Sequence, residues 1–138
     1  MTIKPSYILF FCFLFLSAQW KESASIPAHV TGKWKLFILH SRDTKQFTNK
    51  SVVHIEIDPD GMTTGFTGCN KIRTNCSIAG EAIQFGTILS SRKFCEKEFM
   101  DLEDHMKDIL KNATTYHLKN NQLTLYTGKK KLATFSKE

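Results

Sequence analysis

The chain has 138 residues, of which 41% are hydrophobic and 12% aromatic. This composition is typical of a folded globular domain and excludes an intrinsically disordered protein. The formal net charge is +6 at pH 7, but the basic residues are scattered, and the one dense run, Lys129–Lys131, is typical of a solvated hairpin turn. The charge therefore does not predict a nucleic-acid-binding protein.

The first predicted element is a processing segment at the N-terminus. An unbroken apolar run, Ile8 to Leu16 (ILFFCFLFL), follows one basic residue, Lys4, and precedes small and polar residues. The run is too short to cross a hydrocarbon core, which needs about 20 residues in a helix. We predict a signal peptide over residues 1–19, with cleavage as late as residue 25, and a short linker over residues 20–31. The mature protein is expected in the periplasm or outside the cell, with no transmembrane segment.

The mature chain is expected to form one domain over residues 32–138, since about 115 residues are enough for one core and too few for two. Alternating apolar and polar residues predict five strands in its first part. They cover Gly32–Leu39, Val52–Asp58, Met62–Thr67, Lys71–Ile78 and Ala82–Leu89. Trp34, Leu36 and Ile38 are predicted to share one face of the first strand, and Ile83 and Phe85 to face inward on the fifth. The turn between the second and third strands is predicted at Pro59-Asp60-Gly61.

Three cysteines lie beyond the predicted leader, namely Cys69, Cys76 and Cys95. In an exported protein they can oxidise, and an odd number predicts one disulfide and one free thiol. We favour a bond between Cys69 and Cys95, worth about 3 kcal/mol through loop entropy, with Cys76 as the candidate free thiol. A zinc site is the alternative, but the chain has no C-x-x-C, and its five histidines show no ligand spacing around the cysteines. We expect no metal and no other cofactor.

After Cys95 the apolar period changes from two to three and four, which predicts an amphipathic helix over about Glu96–Lys111. Its apolar positions are Phe99, Leu102, Met106, Ile109 and Leu110. Three closing strands are predicted at Thr115–Lys119, Gln122–Thr127 and Lys131–Ser136. The whole pattern predicts an α+β fold: a small antiparallel, partly closed β-barrel, lipocalin-like, with one amphipathic helix packed on it.

No catalytic motif is found along the chain. There is no G-x-S-x-G, no H-E-x-x-H, no phosphate-binding glycine loop and no cysteine placed beside a matching histidine. Asp58 and Asp60 could in principle serve acid–base chemistry, but they flank a proline in a turn and are explained by it. We therefore expect no enzymatic activity.

Several short motifs occur together in a characteristic order. They are Gly68-Cys69-Asn70, then Ser90-Ser91-Arg92 with Cys95 three residues later, the amphipathic helix, Asn121-Gln122-Leu123-Thr124-Leu125, and Lys131 to Phe135. In this order and spacing the chain resembles the META domain, the family of the bacterial heat-shock protein HslJ, from Trp34 to Phe135. It departs from the family pattern at Ile72, Thr74 and Cys76, where the family places an aromatic residue, a glycine and another aromatic residue, and at Ser91, where threonine is usual.

The resemblance implies an envelope or secreted protein of small antiparallel fold, linked to stress response and to tolerance of novobiocin, with no established catalytic activity. It also marks Gly68, Asn70, Ser91 and Arg92 as family motif residues. Asn70 and Arg92 lie where the chain turns, next to cysteines that we expect to be joined. We favour a structural role for both, in which Asn70 bonds the backbone of a tight turn and Arg92 bonds nearby carbonyls or a carboxylate, over a shallow pocket for an anionic or polar ligand.

Two functions remain open at this stage. The first is a non-catalytic envelope protein that binds an unidentified partner under stress, motivated by export, the disulfide and the lack of catalytic groups. The alternative is a small-ligand carrier that uses the barrel interior, motivated by the aromatic residues of the strands. The carrier would need an internal cavity lined by Trp34, Phe37, Phe66 and Phe85.

Overall fold

The computed structural model describes residues 25–40 and 53–138. The predicted signal peptide over residues 1–19, the first part of the predicted linker and the connection between the first two strands lie outside the described residues. The described part of the linker, residues 25–31, packs onto the domain: Ile26 and Val30 are buried. The Ile26 N–H also donates to the Pro59 carbonyl at 3.0 Å.

The described chain contains nine strands and one helix. They are β1 Gly32–Leu39, β2 His54–Ile57, β3 Met62–Phe66, β4 Lys71–Ala79, β5 Ala82–Phe85, β6 Leu89–Ser90, α1 Lys97–Asn112, β7 Thr115–Lys119, β8 Gln122–Thr127 and β9 Lys130–Lys137. The strands pair antiparallel throughout. The predicted α+β class, a mostly antiparallel sheet with one helix, is confirmed.

Strand pairing follows the order β3-β2-β1-β9-β8-β7-β5-β4, and a further pairing of β3 with β4 closes these eight strands into a ring. The short β6 pairs with β4 beside this ring. Because neighbouring strands alternate in direction, the turn at residues 67–70 lies at one end of the ring and the turn at residues 120–121 at the other. The weakest junction is between β5 and β7, which share the single pair Ala82 and Thr115.

The first strand departs from regular alternation. The register of β1 with β9 shifts between Leu36 and Ile38, which is a β-bulge. Trp34 and Leu36 are buried as predicted, but the bulge turns Ile38 outward, with 39% of its surface exposed, and buries Leu39, which is 1% exposed. The prediction that Ile38 shares the face of Trp34 is therefore wrong.

The predicted fifth strand is divided in two by a similar irregularity. Cys76 pairs with Phe85, whereas Arg73 pairs with Leu89, so the later segment carries one more residue than β4 over the same span. The extra residue breaks the ladder between β5 and β6 and points Leu89 outward. Ile83 and Phe85 are buried, as predicted.

Apolar side chains from the strands and from one face of α1 form the core inside the ring. Its fully buried large members include Trp34, Ile55, Leu102, Met106, Leu110, Leu123, Leu125 and Phe135. The indole N–H of Trp34 donates to the Val30 carbonyl at 2.7 Å, so its polar atom is satisfied within the core. Phe37, expected inside by the carrier hypothesis, is instead 55% exposed, and Phe66 is half-buried.

Candidate functional site

The family motif residues meet at one corner, where the turn between β3 and β4 lies against α1. Gly68 has a φ of +117°, in the region that favours glycine. A Cβ at this position would lie 3.1 Å from Leu102 Cδ2 on the helix. The turn is closed by the Thr67 N–H, which donates to the Asn70 carbonyl at 3.1 Å. Glycine is therefore needed both for the backbone conformation and for the close approach of α1.

A disulfide joins this turn to the segment before the helix. Cys69 and Cys95 are bonded, with their Cα atoms 5.9 Å apart and a sequence separation of 26. This is the pair that the sequence favours. The bond fixes the start of α1 beside the 67–70 turn, although the helix has no side-chain N-cap.

The side chain of Asn70 is the centre of a partly buried hydrogen-bond network. Its Nδ2 group donates to the Lys93 carbonyl at 3.2 Å and to Glu103 Oε2 at 2.8 Å. Its Oδ1 accepts from the Ser91 hydroxyl and from the Lys93 N–H, both at 2.8 Å. These four bonds use every donor and acceptor of the amide. Asn70 is 2% exposed, so it has no free group to offer a ligand.

Glu103 is a buried carboxylate on the face of α1 that meets this network. Oε1 accepts from the Ser90 hydroxyl at 3.2 Å and forms an ion pair with Lys107, while Oε2 accepts from Asn70. Burial by itself would raise the pKa of Glu103, but the hydrogen bonds from Lys107, Asn70 and Ser90, together with the charge of Lys107, lower it. The corner is therefore built around a stabilised anion.

Replacing Glu103 by glutamine should change the pH dependence of stability. Because the folded carboxylate binds its proton more weakly than the unfolded one, its contribution is fully present above pH 4.5 and is lost as the pH falls below that value. Glu103→Gln should lower the free energy of unfolding by about 2 kcal/mol at neutral pH. It should also flatten the loss of stability as the pH falls below about 4.5, measured by urea unfolding at each pH.

Asp101 provides the matched control, since it forms an exposed ion pair with Lys97 on the same helix. Asp101→Asn should change stability by less than about 0.5 kcal/mol and keep the wild-type pH profile. A Glu103→Gln variant with the same profile as the wild type would show that the buried carboxylate has no such role.

The remaining motif residues differ in their surroundings. Ser91 belongs to the network: its hydroxyl also accepts from the Lys71 N–H at 3.2 Å, and its own N–H donates to the Lys71 carbonyl at 3.0 Å. Arg92 is exposed, and its guanidinium makes no hydrogen bond or ion pair among residues 25–40 and 53–138. The described residues therefore provide no bonding partner for Arg92. Asn70 has a structural role, but its side chain bonds the Lys93 backbone and Glu103 instead of the backbone of its own turn.

Sequence reasoning missed Glu103. A signal was present, because Glu103 lies next to Leu102, three residues before Met106 and four after Phe99, on the face predicted to be apolar. A carboxylate in that position predicts a buried partner.

Cys76 is the free cysteine, buried on β4. Burial raises the pKa of its thiol to about 12. Since the thiolate is the reactive form, iodoacetamide at about pH 8 should modify Cys76 about a thousandfold more slowly than an exposed thiol. Peptide mass mapping should find Cys76 unmodified in the folded protein and fully modified in urea. Rapid labelling of the folded protein would show that β4 opens.

Shallow clefts with volumes of about 150 to 450 Å³ line the surface on either side of α1. The smallest contains His40, whose Nε2 lies 2.9 Å from the Thr134 hydroxyl. Burial, and then the charge of Lys131, lowers the pKa of His40. Among the described residues, no three side chains of the metal-ligating types lie close enough to hold a metal ion.

The sequence matches the META domain family over residues 28–138. The chain belongs to the META domain family. In this META domain, the Gly-Cys-Asn motif and the Ser-Ser-Arg-x-x-Cys motif are the two halves of one corner, joined by a disulfide and by the amide of Asn70.

Solved structures share the fold of this META domain. A DUF4847 family protein from Bacteroides vulgatus superposes with a TM-score of 0.59 and 16% identity, covering 80% of this chain and 95% of that protein. An NMR structure of another protein gives a TM-score of 0.58 at 20% identity, over 76% of this chain and 87% of that one. An NMR structure of a protein from Burkholderia xenovorans gives a TM-score of 0.54 at 17% identity, covering 78% of each chain. A search of curated proteins found no match.

Proposed function

We propose that this META-domain protein is a non-catalytic, exported protein of the bacterial cell envelope. It acts by binding an unidentified partner and contributes to stress response or drug tolerance. The ring of strand pairings supports a partly closed barrel as the architecture that presents its surface.

The observation that carries this proposal is that four residues of the two motif segments make structural contacts. Gly68, Cys69, Asn70 and Ser91 are all engaged in fastening the segment before α1 to the 67–70 turn. The amide of Asn70 has no unused donor or acceptor, and Cys76 is buried with a raised pKa. A corner of this kind holds a surface in a fixed shape, which lowers the entropic cost of binding a partner.

Export is supported by the disulfide. Bonds of this kind form and persist in oxidising compartments, such as the bacterial periplasm and the extracellular space, and are rare in the cytosol. The apolar run Ile8–Leu16 supplies the predicted signal. A helix that crosses a bilayer needs about 20 apolar residues. Among the described residues, no helix meets that requirement, and the amphipathic α1 has 16 residues.

The test is a deletion strain of the source organism, challenged with heat and with novobiocin. We expect reduced survival that the full-length protein restores and that a version lacking residues 1–19 does not. Asp58→Asn combined with Asp60→Asn removes the carboxylate pair that the sequence offers for acid–base chemistry and should restore survival fully. Normal survival of the deletion strain under every stress would refute the proposed role, and full rescue by the leaderless version would refute export.

A further inference from the structure

Phe94 is held in solvent by the contacts that fasten the segment before α1 to the 67–70 turn. With 97% of its surface exposed, it stands apart from the buried aromatic residues of the core. Both of its neighbours are fixed: the N–H and the carbonyl of Lys93 bond to the amide of Asn70, and Cys95 is joined to Cys69. Because the backbone on either side is fastened, the exposure of Phe94 is a built feature of the fold.

Basic side chains surround this phenylalanine. The segment before it runs antiparallel to β4, with Leu89 opposite Arg73 and the Ser91 N–H bonded to the Lys71 carbonyl. Leu89 is 64% exposed. We define the basic corner as the exposed basic and apolar side chains of this surface. It consists of Lys71, Arg73, Leu89, Arg92, Lys93 and Phe94.

The charge of the basic corner is not neutralised from within. Residues 71–73 and 89–94 contain four basic residues and no acidic one. None of these four forms an ion pair with another of the described residues, and Arg73 contacts the sulfur of Met62 instead. The nearest acid along the chain is Glu96. The corner therefore presents an aromatic side chain among four basic side chains that have no ion-pair partner in the described part of the chain.

We propose that the basic corner docks on the surface of an anionic phospholipid bilayer. Phe94 enters the interfacial region, and the four basic side chains lie against the headgroups. This inference goes beyond the proposed function, since it assigns a surface that an exported protein would use whatever its partner.

Charge and area favour a bilayer over an acidic protein. A stable protein interface buries about 800 Å² on each side around an apolar centre. The corner offers two exposed apolar side chains, Phe94 and Leu89, among its charges. Docking on an anionic bilayer needs less apolar area, because one aromatic ring at the interface and several long basic side chains at the headgroups act together. The four basic side chains of the corner are complementary in charge to such a surface.

The test is co-sedimentation of the protein, purified after export, with vesicles of phosphatidylcholine alone or mixed with phosphatidylglycerol. Mass spectrometry establishes the N-terminus of the sample. Binding should be at least about tenfold stronger to the anionic vesicles. Raising NaCl from about 0.05 to about 0.5 M should abolish most of it, because the Debye length shortens to a few ångströms.

Variants locate the surface. Arg92→Glu should weaken binding to anionic vesicles by about tenfold, and Phe94→Ser by about fivefold. Lys119→Glu is the matched control: it makes the same change in net charge at the opposite end of the ring and should weaken binding by less than about twofold. Phe94→Trp should bind normally and add a tryptophan signal, relative to the wild type, that brominated lipids quench.

Three results would overturn the inference. The first is no preference for anionic vesicles, and the second is an equal loss in Lys119→Glu and Arg92→Glu. The third is an acidic protein that requires Arg92 while the vesicles do not, which would assign the corner to that protein. Failure in this assay leaves the stress phenotypes of the deletion strain unaffected, so the two proposals can fail separately.

Discussion

Replacing Asn70 by alanine should lower the free energy of unfolding by about 3 kcal/mol. The substitution removes all four hydrogen bonds of the amide. It leaves the Lys93 N–H without its acceptor and the buried carboxylate of Glu103 without the donor to Oε2. Urea unfolding of the oxidised protein at neutral pH, with the disulfide intact in both proteins, measures the loss.

Asn75 is the matched control for this prediction. It lies on β4 like the residues after Asn70, but it is exposed, and its side chain makes no hydrogen bond within the described part of the chain. Asn75→Ala should change stability by less than about 0.5 kcal/mol. If the two alanine variants were equally stable, the Asn70 network would contribute nothing beyond burial.

Breaking the disulfide should lower the free energy of unfolding by a similar amount, about 3 kcal/mol. The bond joins Cys69 and Cys95 across a sequence separation of 26. Its removal therefore increases the entropy of the unfolded chain. Unfolding in urea with and without dithiothreitol measures the effect. The loss should appear as a lower urea midpoint. The circular dichroism of the folded protein and that of the unfolded protein should stay the same.

A variant with both Cys69→Ala and Cys95→Ala is the control for the reductant. Its midpoint should match that of the reduced wild-type protein and should not move when dithiothreitol is added. The amide protons of residues 91–95 should exchange faster in this variant, because this segment loses its covalent attachment. A reduced wild-type protein as stable as the oxidised one would argue against a stabilising role for the bond.

The stability losses from Asn70→Ala and from breaking the disulfide should not add. The disulfide and the Asn70 amide hold the same segment, through Cys95 and through Lys93 respectively. Residues that share a segment in this way usually show coupling energies in double-mutant cycles. Once the covalent bond is lost, the amide network and the bonds between Ser91 and Lys71 have to order the chain between Ser90 and the helix.

The class of the fold could be predicted because it depends on local pattern. Alternation in the strands and the three–four period of α1 are visible without any tertiary contact, and both are confirmed by the structure. The two bulges could not be predicted. Each depends on the register with a neighbouring strand, Leu36 to Ile38 against β9 and Phe85 to Leu89 against β4, and register is a property of the pair.

The candidate site was partly visible from the sequence. The motif resemblance singled out Gly68, Asn70, Ser91 and Arg92, and the odd cysteine count predicted one bond and one free thiol. Which of these residues lie inside was a matter of packing. Asn70 meets Glu103 across 33 residues of sequence. Arg92 faces solvent, although Ser90, two residues before it, is half-buried and donates its hydroxyl to Glu103.

The sequence by itself determined the strand and helix content of this protein, its family and the cysteines available for oxidation, because periodicity, motif order and residue counts are local properties. Only the tertiary structure decided that a carboxylate on an apolar helix face would bond the family motif segments, and that Phe94 would stay exposed to solvent. The reason is physical: hydrogen-bond satisfaction and burial depend on which distant segments come together, and that is settled when the ring closes and α1 packs against its end.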